Sequence, residues 1–301
     1  MSDGVASLRH QIAGAGELAT VVRTMKAMAA SSIGQYENAV RSLDEYARTV
    51  QLGLAASLRP LDTTALLAPA AGREAPVGAV VFGSDQGLVG RFNEVLLCYV
   101  VETLGTPPGG AVVWAVGERI QARLADAGLA AGAPFALPNG IAAITALVGR
   151  VLIALEQRRD AGEIGTVWLF HNQPQPGALY RPVGQRLLPL DTAWRQQWAQ
   201  APWPTGNLPE LMNGPARTLP AFVREYLFIS LFRACAESLA SENASRLAAM
   251  QRAEKNIGEL LDVLKRRFHR LRQSGIDAEL FDVVAGFEAL ADERGRGETK
   301  P

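Results

Sequence analysis

Residues 12–40 read IAGAGELATVVRTMKAMAASSIGQYENAV, and apolar residues recur in them at alternating steps of three and four positions. The same spacing extends from Leu8 to Leu54, with Lys26 as its only charged member. Such repetition is typical of helices that pack along one another in a coiled coil. Because residues 1–59 contain no proline, the pattern predicts one helix about 80 Å long, at about 1.5 Å per residue. The members of this N-terminal seam are Leu8, Ile12, Ala15, Ala19, Val22, Lys26, Ala29, Ile33, Tyr36, Val40, Leu43, Ala47, Val50 and Leu54.

A second seam lies near the other end of the chain, where no proline occurs between Pro220 and Pro301. Glu254 is its only charged member. The spacing predicts a second long helix over residues 221–290. Two such helices at opposite ends of one chain bury their seams most simply against each other, which predicts an antiparallel coiled coil. The members of this C-terminal seam are Leu247, Met250, Glu254, Ile257, Leu261, Leu264, Phe268 and Leu271.

Lys26 and Glu254 are therefore the single charges on their respective seams. A lone charge at a packed seam is costly, and antiparallel pairing could bring these two opposite charges together. We predict that they meet across the two helices and help to fix their register. The alternative is that each aliphatic stem packs at the seam while its charged head reaches solvent separately.

The middle of the chain, residues 76–190, alternates short β-branched and aromatic runs with helical stretches. This alternation predicts a Rossmann-like α/β globular domain. Five prolines between residues 202 and 220 predict an irregular connection over residues 191–220. The predicted domains are the helix 1–59, the globular domain 76–190, the connection 191–220 and the helix 221–290. The predicted strands lie within 76–85, 111–117, 165–172 and 176–191, and the helices between them within 88–104, 118–128 and 139–160.

Composition narrows the classes of partner. Thirty Lys and Arg residues balance thirty Asp and Glu residues among 301, so no overall positive field favours nucleic acid. Cys98 and Cys235 lie far apart in sequence, which gives neither a disulfide framework nor a metal-binding motif. No apolar run approaches the length of a membrane span, and the N-terminus lacks the features of a signal or transit peptide. We expect a cytosolic protein.

The segment GSDQGLVGRFNE, residues 83–94, follows a predicted strand and precedes a predicted helix. Backbone amides at such a place can bind phosphate. However, the segment matches neither the P-loop nor the strict dinucleotide-binding fingerprint. We therefore predict a structural turn, in which the aspartate serves as a helix-capping group. Its residues are Gly83, Asp85, Gly87 and Gly90.

The sequence predicts no catalytic residue set, metal site or cofactor site. Its three histidines, His10, His171 and His269, are scattered and have no evident partner in the sequence. The one basic cluster is KRRFHRLR, residues 265–272. It is either a charged helix face or an electrostatic track that faces an acidic partner.

Four segments of the chain are RTMKAMAAS (23–31), GSDQGLVGRFN (83–93), SLASENASRLAAMQRAEKN (238–256) and RQSGIDAELFDVVAGFEAL (272–290). In this order, they resemble signature segments of the gamma subunit of F-type rotary ATP synthases. The resemblance implies an antiparallel coiled-coil shaft on a Rossmann-like domain, and a non-catalytic rotor subunit that couples ion flow to the catalytic sites. It also implies partners: the alpha and beta subunits of the catalytic ring, the epsilon subunit and the membrane c-ring. The implied location is peripheral, at the cytoplasmic face of a bacterial inner membrane, with no span of its own.

Three residues match the positions of the family's contacts with the catalytic ring, namely Met25, Arg246 and Gln273. Without the resemblance, Met25 reads as a residue beside the seam, Arg246 as a solvated charge and Gln273 as a polar helix residue. The resemblance further implies that small residues in 238–256 permit close approach to the partner helix and that polar residues there face the ring.

The sequence departs from the family pattern at residues 31–40, which carry no Lys or Arg where the family has a basic segment. This departure resembles the divergent bacterial N-type ATPase. Two other classes remain open. One is a nucleotide-binding α/β enzyme dimerised through coiled-coil helices, which nucleotide titration of the isolated chain would reveal. The other is a cytoskeletal or DNA-associated coiled-coil protein, although the balanced charge disfavours DNA.

Overall fold

The computed structural model describes residues 2–58, 76–105, 110–129, 132–190, 203–207, 210–212 and 214–297. Two long helices come first and last in the described chain, and four strands with three shorter helices lie between them. The elements are α1 (Ser2–Leu58), β1 (Val77–Phe82), α2 (Phe92–Leu104), β2 (Ala111–Val116), α3 (Glu118–Asp126), α4 (Ile141–Asp160), β3 (Thr166–Gln175), β4 (Ala178–Leu188) and α5 (Pro215–Gly297).

The four strands form one sheet in the order β2-β1-β3-β4. The first three are parallel, with Val80 of β1 opposite Trp114 of β2 and Leu169 of β3. Strand β4 returns antiparallel to β3 as a hairpin. A parallel sheet needs cover on both faces, and the last five residues of β1 are accordingly buried. The predicted mixed α/β fold is confirmed.

Alternate residues of β1 belong to two different cores. Ala79 and Val81 pack in a core with α2 and α3. Val80 and Phe82 belong to a larger core on the other face, which includes α4, Leu54 near the end of α1, and buried residues of α5. The long helices therefore take part in the core of the globular region.

The structure divides into two compact units, residues 1–27 with 250–301 and residues 28–249. In the first unit, Lys26 contacts Glu254, and the Arg9 guanidinium lies 5.8 Å from the ring centroid of Phe268. Residue numbers thus increase along α1 as they decrease along the contacting part of α5. The two helices therefore run antiparallel, as predicted.

In the second unit, the same two helices are joined by Arg233 and Asp44 at 2.6 Å and by Tyr46 and Glu225 at 2.7 Å. Every member of both seams is buried or half-buried. Many neighbours of the seams are exposed, among them Leu18 at 59 %. The three- and four-residue spacing therefore identified the packed faces of both helices correctly.

The prediction that residues 215–220 belong to an irregular connection is wrong, because α5 begins at Pro215 and continues through Pro220. Pro215 is the first helical residue, where no backbone N–H bond is required. Pro220 removes one bond within the second turn, and the neighbouring Leu219 is 2 % exposed and anchors that turn in the core. At its other end α5 extends to Gly297, beyond the predicted 290.

Residues 203–207 and 210–212 contain no helix or strand. The remainder of the predicted connection, up to residue 202, lies outside the described residues. The predicted division of the chain into functional domains stays a prediction.

Candidate functional site

Residues 234–242 of α5 are buried without interruption. An amphipathic surface helix buries only one stripe, so this segment is enclosed on all sides. Its side chains are mostly small. Ser238 and Cys235 are 1 % and 0 % exposed, and Tyr36 of α1 belongs to the same core as Cys235. We call residues 234–242 the enclosed segment.

Three serines on α5 donate hydrogen bonds to backbone carbonyls of the globular region. The Oγ of Ser238 donates to the Phe82 carbonyl at 3.1 Å and that of Ser241 to the Asn172 carbonyl at 3.0 Å. The Oγ of Ser245 donates to the Val89 carbonyl at 2.6 Å. Buried carbonyls need such partners. These serines therefore join α5 to β1, to β3 and to the loop after β1.

These contacts correct two expectations for residues 238–256. The small residues bring α5 against strand and loop backbone, and not only against its partner helix. The polar residues Ser238, Ser241, Glu242 and Ser245 are buried within the chain, so they do not form a face that is open to a ring.

His171 and Glu237 form a buried pair that sequence reasoning missed. Their Nε2 and Oε2 atoms are 2.7 Å apart, and their side chains are 7 % and 10 % exposed. The Nε2 of Gln173 also donates to the same oxygen, at 3.1 Å. His171 and Glu237 are 66 residues apart, so no local spacing could have paired them.

Arg246 lies one turn after Glu242, and its Nη2 donates to the Oε1 of Glu242 at 2.5 Å. The two side chains are 15 % and 6 % exposed. Burial raises the pKa of the Glu242 carboxyl, while the Arg246 guanidinium opposes that shift. Arg246 is therefore not a solvated charge. The spacing of four residues from Glu to Arg is the sequence signal for this pair.

The other two predicted ring contacts belong to the first unit, whereas Arg246 belongs to the second. Met25 is half-buried beside the N-terminal seam, and Gln273 is exposed. Among the described residues of the first unit, no hydrogen bond or ion pair joins Met25 to Gln273.

The structure does bring Lys26 and Glu254 together, with Nζ and Oε2 2.5 Å apart. The Nε of Arg23 approaches the other oxygen of Glu254 at 3.4 Å, a contact outside the seam pattern. Lys26 and Glu254 are each about one-third exposed, so both heads lie at the edge of the seam. The hydrogen bond from Lys26, with the charges of Lys26 and Arg23, holds the pKa of Glu254 below its usual value.

The predicted turn after β1 is held by its own side chains. Asn93 Oδ1 accepts from the backbone N–H of Ser84 at 3.1 Å, and Asn93 Nδ2 donates to the Oγ of Ser84 at 2.8 Å. Asp85 accepts from the backbone N–H of Glu118, the first residue of α3, at 3.0 Å and from that of Leu137 at 3.1 Å. The aspartate thus caps α3 and not the helix that directly follows it in sequence.

The three glycines of this turn differ in what they require. Gly83 packs against the Ile120 side chain so closely that an added Cβ would overlap it. Gly90 has a φ of 58°, a conformation that favours glycine. At Gly87 the nearest atom to an added Cβ would be 3.9 Å away. The structure therefore explains why glycine is required at two of these three positions.

Within the described ranges, no three His, Cys, Asp or Glu side chains are grouped to hold a metal ion. No described helix combines the length and apolar character of a membrane span. A cavity of about 330 Å³ lies beside the His171–Glu237 pair, with Gln51, Gln185 and Arg233 in its lining. The described residues thus comprise two paired long helices and a small mixed sheet, and three serine hydrogen bonds join α5 to the sheet and to the loop after β1.

The chain matches a protein-family model described as ATP synthase over residues 4–290. The match spans nearly all of the chain, and the chain belongs to this family, in its gamma-subunit branch. It is 27 % identical to the ATP synthase gamma chain of Anaeromyxobacter sp. (strain Fw109-5), over 94 % of this chain and 98 % of that protein. It is 28 % identical to the gamma chain of Rubrobacter xylanophilus, over 94 % and 97 %.

Solved structures share the fold. The rotor of Euglena gracilis mitochondrial ATP synthase superposes with a TM-score of 0.63 at 15 % identity, covering 92 % of this chain and 100 % of that one. A chain from the OSCP/F1/c-ring structure of the same enzyme gives 0.65 at 13 % identity, covering 100 % and 98 %.

We expect Gly83→Ala to lower the free energy of unfolding of the full chain by about 1–3 kcal/mol, because the added methyl overpacks the contact with Ile120. Gly87→Ala is the matched control, since its space is open, and its effect should stay within about 0.5 kcal/mol. Denaturant titration of both variants measures the difference. Equal stabilities would show that the close packing at Gly83 is not required.

We expect Lys26→Met and Glu254→Met to be coupled in thermal unfolding of the full chain: each change alone lowers Tm, and the double change is milder than their sum. The lowered pKa of Glu254 means that its contribution is present at neutral pH and is lost as pH falls through the folded-state pKa. The coupling should therefore vanish in acid.

The matched control for this cycle is the exposed pair Lys255 and Glu259, whose charged atoms are 3.9 Å apart. Such a pair should show no measurable coupling. Additive effects of Lys26→Met and Glu254→Met at neutral pH would mean that the contact between them does not stabilise the helix pair.

Proposed function

We propose that this chain is the central-stalk subunit, or rotor shaft, of a rotary ATP synthase or ATPase. In this role it couples ion translocation through a membrane ring to the conformational cycle of the catalytic subunits. The observation that carries the proposal is the family match over residues 4–290. The antiparallel pairing of α1 and α5 in the first unit supports the proposal, because two paired helices can form a shaft.

The contribution of the chain is mechanical and not catalytic. An asymmetric shaft that contacts several identical sites favours a different conformation at each of them, and its rotation passes those conformations from site to site. A contact affects coupling only if it is made in some rotary states and not in others. The residues of the chain thus change the populations of catalytic states and do not themselves make or break covalent bonds.

The residues proposed to contact the catalytic ring are Met25, Arg246 and Gln273. Gln273 is exposed, Met25 is half-buried, and Arg246 keeps 15 % of its side-chain surface open. Each can therefore reach a partner. Replacing Arg246 by Ala would also leave Glu242 as a buried, unpaired acid, so such a variant tests stability as well as contact.

The proposed partners are the alpha and beta subunits, the epsilon subunit and the membrane c-ring. The structural neighbours named as a rotor and as an F1/c-ring assembly support the catalytic ring and the c-ring. Bacterial gamma chains are among the relatives, which supports a peripheral position at the cytoplasmic face of the bacterial inner membrane.

We further propose that the complex is of the divergent N-type. Residues 31–40 carry no Lys or Arg, and residues 12–20 carry one charge, Glu17. A shaft with this surface has less positive charge to present to an acidic partner at these positions. The charge pattern therefore supports a ring partner that differs from that of the housekeeping enzyme.

Affinity purification of the tagged chain from membranes washed at low salt tests the proposed function. We expect the alpha, beta and epsilon subunits and the c-ring to co-purify, and peptide sequencing should assign them to one gene set. An untagged strain carried through the same steps is the control. Recovery of the chain without alpha and beta subunits would contradict the proposal.

We expect the purified full chain alone to hydrolyse no ATP above background, because we assign it no residues that activate water at a phosphate. Phosphate release is measured beside a mock purification from cells that lack the chain. ATP turnover that follows the chain through further chromatography would overturn the non-catalytic assignment.

A further inference from the structure

We propose that Glu242 is a positioning residue for Arg246: it holds the guanidinium in the orientation in which that group meets the catalytic ring. This inference rests on the proposed function, since it gives a role to the residue behind one proposed ring contact. Glu242 is buried within the chain and acts through Arg246.

The geometry of the pair supports this role. Glu242 and Arg246 are four residues apart on α5, and Nη2 lies 2.5 Å from Oε1. Side chains on a helix lean toward its N-terminus, so Arg246 reaches back over the turn that carries Glu242. Glu242 is the last residue of the enclosed segment, and Arg246 is half-buried just beyond it. The carboxylate is thus the inner member of the pair and the guanidinium the outer.

Arginine needs such support because its side chain is long and loses much rotamer freedom when it is held in one place. A guanidinium that is already oriented loses less of that freedom on meeting a partner, which strengthens the contact. The other oxygen of Glu242, Oε2, has no hydrogen-bond partner among the described residues. Among the described residues, the side-chain hydrogen-bond partner of this carboxylate is therefore Arg246.

The surroundings of Glu242 do not otherwise favour a carboxylate. Burial raises its pKa, and the charge of Asp85, from the loop after β1, acts in the same direction. Tyr36 of α1 and Cys235 of α5 are also close enough for their pKa values to be raised by the Glu242 charge. Arg246 alone among these groups favours the ionised form. Pairing with Arg246 therefore accounts for an ionised side chain at this buried position.

Glu237 provides a matched control on the same helix. It is also a buried glutamate, 8 % exposed against 4 % for Glu242. Its carboxylate accepts from His171 and Gln173, however, and not from an arginine. Glu237→Gln therefore makes the same chemical change at similar burial without touching Arg246.

The test is the number of ions pumped per ATP hydrolysed by the complete complex in sealed vesicles. We expect Glu242→Gln to lower this ratio by about twofold, because a neutral amide oxygen accepts a weaker hydrogen bond from Arg246 than the charged carboxylate does. We expect Glu237→Gln to leave the pumping ratio unchanged when the two variants assemble to the same extent. A Glu242→Gln complex with the normal ratio would overturn the inference, as would an equal loss in both variants.

Arg246→Gln separates this inference from the proposed function. If Arg246→Gln lowers the ratio and the double variant with Glu242→Gln is no worse, Glu242 acts through Arg246. Losses that add would mean that Glu242 acts independently, which overturns the inference and leaves the ring contact standing. A normal ratio in Arg246→Gln would remove the proposed contact itself, and the inference with it.

Glu242→Asp keeps the measurement decisive if Glu242→Gln does not assemble. Aspartate retains the charge but withdraws the carboxylate by one methylene from Arg246. We expect Glu242→Asp also to lower the pumping ratio, because the orientation of the guanidinium is lost while the charge remains. A normal ratio in this variant would overturn the inference.

Discussion

The hydrogen bonds from Ser238, Ser241 and Ser245 to backbone carbonyls are the interactions on which the rest of the molecule depends. They allow the enclosed segment of α5 to be buried on every side, because a buried carbonyl without a donor would be costly. Larger side chains at these positions would push the helix away from the strands. The core that α1, α4 and α5 share with the sheet follows from this close approach.

The helices α1 and α5 are packed differently in the two units. In the first unit the two helices pack mainly against each other. The ion pair of Lys26 with Glu254 lies at the edge of their seam. In the second, α5 also packs against the sheet, and the pair of His171 with Glu237 is buried there. The ion pair of Lys26 with Glu254 is thus half-exposed, whereas the polar contacts of the enclosed segment are buried.

Much of this fold could be predicted from periodicity. The seams identified the packed faces of both helices, because their spacing reports directly which side of a helix meets the core. Short β-branched and aromatic runs identified the strands. The helical start at Pro215 and Pro220 was missed, since the anchoring of Leu219 in the core is a tertiary effect. The partner of His171 was missed for the same reason. The spacing of four residues indicates the pair of Glu242 and Arg246, but no sequence pattern indicates that the pair is buried.

The serine contacts also bear on torsion. Ser238, Ser241 and Ser245 follow steps of three and four residues, so their hydroxyls project from one line along α5. Each is bonded to a different part of the globular region. A turn of the helix about its own axis by one residue, about 100°, would break all three bonds together. The three hydrogen bonds therefore oppose rotation of the helix relative to the sheet, so a torque on one acts on the other through them.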